Sequence, residues 1–219
     1  MALVSCIMPT RNRPQFARQA VAYFLRQDYQ QRELIVLDDG DDPVSDLLPR
    51  DENIRYVRLH ERSPLGTKRN IACELSRGEL IAHWDDDDWH APHRLSTQVK
   101  AMSMQNARLC GTDRLVFYTG ERAYLFQTVR KPWLAGGTLV YDRALWRDHP
   151  FSEVSNGEDT SFVDATYKSG AKVAVLSDPS LYVGMIHGKN TTPYNIDRQW
   201  SGFSVDQVRN WIGEKACSV

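Results

Sequence analysis

The first half of the chain alternates short apolar runs with amphipathic stretches. Leu3–Met8 is an apolar run with β-branched members, closed by Pro9, and reads as a strand. Asn12 can cap a helix that carries Pro14 in its first turn. The apolar face of that helix is Phe16, Ala20, Val21, Phe24 and Leu25. Leu34–Leu37 predicts a second strand, ending in Asp38-Asp39-Gly40, and Ile54–Leu59 a third. Gly66–Leu75 has helical spacing. Leu80–Trp84 predicts a fourth strand, ending in Asp85-Asp86-Asp87-Asp88, and Pro92 opens a helix through about Met104. This β-α-β order implies right-handed crossovers and a mostly parallel sheet flanked by helices, an α/β fold of Rossmann-like character. Such sheets bind ligands outside the carboxyl ends of their strands. Both aspartate clusters fall there.

The second half is less regular. Leu115–Tyr118 and Ala123–Gln127 predict hairpin arms around Thr119-Gly120-Glu121. Gly136–Tyr141 predicts a strand, Asp159–Tyr167 a helix ended by Gly170, Lys172–Leu176 a strand and Val205–Ile212 an amphipathic helix. No linker-like stretch or repeat interrupts the chain. The expectation is therefore one domain over 1–219: a ligand-binding half over about 1–105 and a smaller β extension, the acceptor and catalytic half, over about 106–219.

Charge narrows the function. With 27 basic and 28 acidic residues the net charge is −1, which argues against a nucleic-acid partner. A small phosphorylated ligand needs only a local basic patch. The start lacks a basic n-region, and no apolar run approaches the ~18 residues of a membrane span. The four cysteines (Cys6, Cys73, Cys110, Cys217) are widely spaced and read as reduced thiols. A cytoplasmic protein without a transmembrane segment is predicted, with peripheral membrane contact left open.

Asp85–Asp88 is the strongest local signal. Each close pair of like charges costs ~1 kcal/mol even in water. A divalent cation offsets this, and hard oxygen ligands suit Mg2+ or Mn2+. Asp85 and Asp87, two apart, form a natural pair; a solvated acidic turn is the plain alternative. In Asp38-Asp39-Gly40-Asp41-Asp42, an acid at a strand end can accept hydrogen bonds from a nucleotide, or form an Asx turn. Glu158 and Asp159 open a helix, where acids complement the dipole or serve as a general base. Gly66-Thr67-Lys68-Arg69-Asn70 opens another, bringing backbone N–H groups and two cations to one spot suited to a diphosphate. Arg11 and Arg13 leave the first strand end and can line the same cleft. His187 precedes the polar Gly188-Lys189-Asn190-Thr191-Thr192 loop, which suits a lid that meets phosphate. A lone histidine is more often structural than a ligand.

In order along the chain, Val4–Asn12 (with Pro9 and Arg11), Glu33–Gly40, Gly66–Asn70, Arg77–Asp88 and Gly157-Glu158-Asp159 resemble the inverting GT-A glycosyltransferases of family 2. The resemblance implies the GT-A fold and transfer of a sugar from a nucleotide diphosphate donor, usually a UDP-sugar, to a saccharide or other hydroxyl acceptor. It implies that Asp39 contacts the base. Asp85-Asp86-Asp87 covers the DXD motif, with Asp87 the direct metal ligand and Asp85 or Asp86 near the ribose. Asp88 extends the run, so assignment within it shifts by one position. Asp159 is implied as the catalytic base, beside Glu158. His187 resembles a late histidine on the metal or diphosphate, with Lys189 next to it, and Gly136-Gly137 resembles the turn before the acceptor-site strand. The loop at Gly40 departs from the family's Ser-rich turn. The C-terminal helices or membrane segments of many relatives are not found here, which removes hints about the acceptor. Two other readings are a sugar-phosphate nucleotidyltransferase, which would be expected to carry a Gly-rich loop where Pro9-Thr10-Arg11-Asn12 stands, and a non-catalytic nucleotide-sugar-binding module. Acceptor contacts are open, with Arg130, Lys131, Trp133 and Trp146 as candidates.

Overall fold

The structure, a computed structural model, describes residues 1–128, 133–190 and 199–213. Four strands build the parallel core: β1 (Val4–Thr10), β2 (Arg32–Asp38), β3 (Ile54–Arg58) and β4 (Leu80–His83). β1 pairs in parallel with β2 and β4, and β2 with β3. Residues of β1 and β2 are almost all buried and mostly apolar, as a sheet covered on both sides requires, with buried Ser5 donating to Glu33 at 2.6 Å. Helix α1 (Pro14–Leu25) buries Ala17, Ala20, Val21 and Phe24 in the larger core cluster. Leu25, predicted on that face, is instead 40% exposed. Helix α2 (Leu65–Leu75) packs Ala72 and Cys73 into a second cluster on the other face.

Beyond β4 the chain makes β5 (Trp89–His90), helix α3 (Arg94–Gln105), β6 (Leu109–Thr112), β7 (Leu115–Tyr118), β8 (Ala123–Phe126) and β9 (Val140–Asp142). Helices α4 (Arg143–Asp148) and α5 (Glu158–Lys168), strands β10 (Val173–Leu176), β11 (Tyr182–Met185) and β12 (Trp200–Phe203), and helix α6 (Val205–Ile212) follow. The main sheet has the order β10-β6-β9-β4-β1-β2-β3, with β9 antiparallel between β4 and β6. A smaller sheet, β12-β8-β7-β11-β5, covers one end. Every hairpin arm and helix expected in the second half is present. The expected strand from Gly136 starts only at Val140, because Gly136–Thr138 forms a 3-10 turn. Strand β6, four buried residues between a left-handed turn at Asn106 and β7, is an addition to the predicted elements.

Asn12 does not cap α1, whose N-cap is Arg13 without a side-chain bond. Asn12 adopts φ 52°, a conformation that asparagine tolerates. Its Oδ1 accepts from the Asp41 and Asp42 N–H groups at 2.6 and 3.2 Å. The side chain therefore ties the end of β1 to the aspartate loop after β2. Cys6, Cys73 and Cys110 are free and buried, and Cys217 lies outside the described residues. Among the described residues no helix is long and apolar enough to cross a membrane.

Candidate active site

The carboxyl ends of β1, β2 and β4 deliver three loops to one edge of the main sheet. With the N-terminus of α2 they surround an open cleft of about 310 Å³. Its walls include Pro9, Arg11, Arg13, Asp39, Lys68, Arg69 and all of Asp85–Asp88. The cleft thus brings together most of the cofactor and metal candidates read from the sequence.

Asp38 and Asp39 divide their work. Asp38 is fully buried and accepts from the Gly40 and Val44 N–H groups at 2.8 and 3.1 Å and from the Tyr56 hydroxyl at 3.0 Å. That set shapes the loop. Asp39 faces the cleft, with Lys68 Nζ 2.8 Å from Oδ1 and the Ser63 N–H donating to Oδ2 at 2.9 Å. Lys68, at a helix N-terminus where a cation opposes the dipole, is held there by this carboxylate.

The four consecutive aspartates share partners in pairs, Asp85 and Asp88 at Tyr182 and Asp86 and Asp87 at Arg13. Asp85 accepts from Arg69 at 3.4 Å and from the Tyr182 hydroxyl at 3.2 Å. Asp86 is buried, accepting from Thr10 Oγ1 at 2.6 Å and Arg13 at 3.0 Å. Asp87 meets Arg13 at 2.8 Å and His187 Nε2 at 3.2 Å. Asp88 accepts from the Met185 N–H at 2.7 Å and from Tyr182, fixing the turn to β11. Burial pushes the Asp86 carboxyl up to about 7, with Asp87 adding to the rise and Arg13 opposing it. Burial likewise raises Asp85 and Asp88, and the neighbouring Asp87 raises both further. Burial and mutual repulsion thus both disfavour full ionisation of the turn, and Arg69 and Arg13 oppose them.

Among the described residues no three His, Cys, Asp or Glu groups converge into a ready-made metal cage. A Mg2+-type site usually rests on one or two carboxylates, with substrate phosphates and water completing the shell. Asp85 and Asp87, partly open to the cleft in an acid-rich turn, fit that arrangement. The His187 ring stacks on Phe16 at 4.5 Å. Its Nδ1 accepts from the Lys189 N–H at 3.1 Å, so Nε2 carries the proton and donates to Asp87. The Lys189 carbonyl accepts from Arg13, which folds the 187–190 loop onto the acidic turn. Arg11 lies at the cleft's edge, 3.8 Å from Asp41.

Glu158 and Asp159 open α5 behind Gly157, whose φ of 83° needs glycine. Arg69 links them to the acidic turn: its Nε lies 3.3 Å from Glu158 while NH2 reaches Asp85. Burial lowers the Arg69 pKa, but Asp85, Glu158 and Asp159 outweigh it and the guanidinium is held charged. Burial pushes Glu158 up to about 7 despite Arg69. Asp159 accepts from the Thr160 N–H at 2.6 Å, and its other oxygen lies against Gly136. A β-carbon on Gly136 would stand 1.7 Å from Asp159 Oδ2, and one on Gly137 2.4 Å from Asp85 Oδ2. These two glycines form a strap between the carboxylates of β4's turn and of α5.

Tyr182, Thr10 and Arg69's partner His83 escaped the sequence reading, since single residues on strands carry no motif. Trp146 is buried and donates to Asn70, a packing role. Trp133 packs its ring edge on Phe126 at 5.2 Å, while Arg130 and Lys131 lie outside the described residues.

A family profile described as Glycosyl transferase family 2 matches residues 5–153. The chain is 39% identical over 99 residues to an Escherichia coli (strain K12) glycosyl transferase, WcaA, whose name refers to colanic acid biosynthesis. That match covers 43% of this chain and 36% of WcaA. It is 31% identical over 111 residues to an uncharacterized glycosyltransferase of Haemophilus influenzae, covering 48% of this chain and 44% of the relative. The matches thus span less than half the length of these curated relatives. Among solved structures, residues 1–349 of S. aureus TarS, in complex with UDP-GlcNAc, superpose with a TM-score of 0.72. Identity is 21%, over 88% of this chain and 62% of that one, and the likeness shows a shared fold.

Proposed function

The chain belongs to glycosyl transferase family 2 and has its GT-A fold, and from that premise we propose that it transfers a sugar from a nucleotide diphosphate donor to an acceptor hydroxyl with inversion. The observation that carries this reading is one continuous polar line. It runs from the Asp39–Lys68 pair, across Arg69, to Asp85 on one side and Glu158-Asp159 on the other. The TarS complex makes a UDP-sugar the first donor to test.

In this mechanism Asp39 and the Ser63 loop take the nucleoside end of the donor. Lys68, Arg69 and Arg11 present cations to the diphosphate, where charge grows as the glycosidic bond breaks. Asp87 with Asp85 would hold Mg2+ or Mn2+, which supplies Lewis-acid stabilisation to the departing diphosphate. Asp88 is a structural member of the turn, and Asp86 serves as the anchor of Arg13. Asp159, against the strap, takes the acceptor hydroxyl proton as that oxygen attacks the anomeric carbon. Glu158, buried on Arg69, holds the guanidinium between the two sides. One base opposite the leaving group suits a single displacement with inversion.

The test is a thermal-shift screen of nucleotide sugars with Mn2+ or Mg2+, followed by product analysis with saccharide acceptors. Release of nucleoside diphosphate that depends on acceptor is the expected result. Release of pyrophosphate from a sugar phosphate and a nucleoside triphosphate would instead make the chain a nucleotidyltransferase.

A further inference from the structure

Three consecutive carbonyls of the 136–138 strap are held from behind by three fully buried side chains. His83 Nδ1 donates to the Gly136 carbonyl at 2.7 Å, Arg94 to Gly137 at 3.0 Å and Gln98 Nε2 to Thr138 at 2.7 Å. Arg94 is the centre of the set. It also donates to the His83 carbonyl at 3.0 Å and to Gln98 Oε1 at 3.0 Å. Its other terminal nitrogen meets His90 Nδ1 at 2.5 Å, which leaves the His90 Nε2–H to donate to the Asp85 carbonyl at 3.2 Å.

These acceptors of Arg94 are all neutral. Taking a guanidinium out of water without a carboxylate against it is costly, and a packed apolar side chain would avoid the cost. What the charge supplies is geometry. With the planar fork anchored on Gln98 and His90, one terminal nitrogen of Arg94 holds a β4 carbonyl and a strap carbonyl together, which no aliphatic residue can do. One of those carbonyls, that of His83, precedes the acidic turn by two residues. The other belongs to Gly137, wedged between Asp85 and Tyr182. Arg94 and Gln98, one turn apart on α3, grip adjacent strap carbonyls, so α3 sets where the strap sits.

We infer that Arg94, seconded by Gln98 and His83, is a positioning residue. It fixes the strap, and through the strap it fixes Asp159 relative to the Asp85–Asp87 turn. This rests on the glycosyl-transfer reading for its consequence, though not for the clamp itself. Arg94 does not line the cleft, so its loss should spare nucleotide binding and reduce turnover.

The experiment compares wild type with Arg94→Lys, which keeps the charge and loses the fork, and with Gln98→Leu, which keeps a folded chain should the first variant fail to fold. Hydrogen exchange is followed over 83–88 and 135–139. Exchange faster by about tenfold in both segments, with the β1–β2 core unchanged, is expected. UDP affinity should stay within about threefold, while kcat falls about 100-fold at nearly constant donor KM. Unchanged exchange, or faster exchange spread over the whole sheet, overturns the clamp. So does a kcat loss matched by an equal loss of UDP affinity. If the wild type transfers no sugar at all, the transfer reading fails, and the exchange measurement still decides whether Arg94 holds the strap.

Discussion

Replacing Gly136 by alanine should separate binding from chemistry. The added β-carbon would lie 1.7 Å from Asp159 Oδ2 and 2.7 Å from its Cγ, whereas ordinary contact begins near 3.4 Å. Gly136 is absent from the positive-φ glycines, so alanine suits the backbone. The clash falls on the end of one side chain, which can rotate away, so the folding cost should stay near 1 kcal/mol. Relief requires the carboxylate to retreat by roughly 1.5 Å. A general base must come within ~2.6–3.2 Å of its proton, and a misplacement of ~1 Å costs about 100-fold. The expected result is a kcat lower by about 100- to 1000-fold with UDP affinity within about threefold, measured by initial rates and calorimetry. A Gly136→Ala enzyme with wild-type turnover would refute Asp159 as the base. Loss of UDP binding, or failure to fold, would refute the claim that the clash is relieved locally.

Lys68→Met leaves Asp39 without its ammonium partner; nucleotide affinity should fall at least about tenfold by calorimetry, from loss of a charge-assisted bond of about 1.5–3 kcal/mol. Asp87→Asn should weaken Mn2+ binding by at least about tenfold, while Asp88→Asn, whose partners are Met185 and Tyr182, should leave it within about threefold; equal losses would return Asp88 to the metal set. Glu158 holds its proton more tightly folded than unfolded, chiefly through burial, so its share of stability is present below pH 4.5 and lost as pH rises through about 7. Glu158→Gln cannot ionise and should therefore gain on wild type between pH 5 and pH 8, by about 1–2 kcal/mol in urea titrations; a gap independent of pH would contradict the burial argument.

The parallel half was legible because each strand carries its own signal. β1 and β2 are continuous apolar runs closed by Pro9 or by aspartates, and α1 follows with Pro14 in place. The acidic turn and Lys68 were legible because charge next to a buried strand is costly unless used. The short strands outside the parallel core were less so. β5 and β6 are two and four residues long, and their pairing with β11 and β9 is nonlocal, which no window of sequence contains. Gly136-Gly137 stood out as glycines, but only the structure places their α-carbons against Asp159 and Asp85. Arg94 gave no signal at all, since an arginine in the first turn of a helix reads as solvated.

The acidic turn also explains why four aspartates need not mean four ligands. A single carboxylate pair in a cleft would be enough for an ion, yet an isolated turn would be free to swing. Asp88 takes the Met185 N–H and Tyr182, and Asp86 takes Thr10 and Arg13, so the alternate residues bind the turn to β11 and to the end of β1. The two left facing the cleft, Asp85 and Asp87, are then held at fixed spacing by their own neighbours. Their charge is balanced for now by cations of the chain itself, Arg69 and Arg13. Any incoming divalent cation must compete with Arg13 for Asp87. Arg13 also holds the Lys189 carbonyl, so one side chain ties Asp87 to the 187–190 loop.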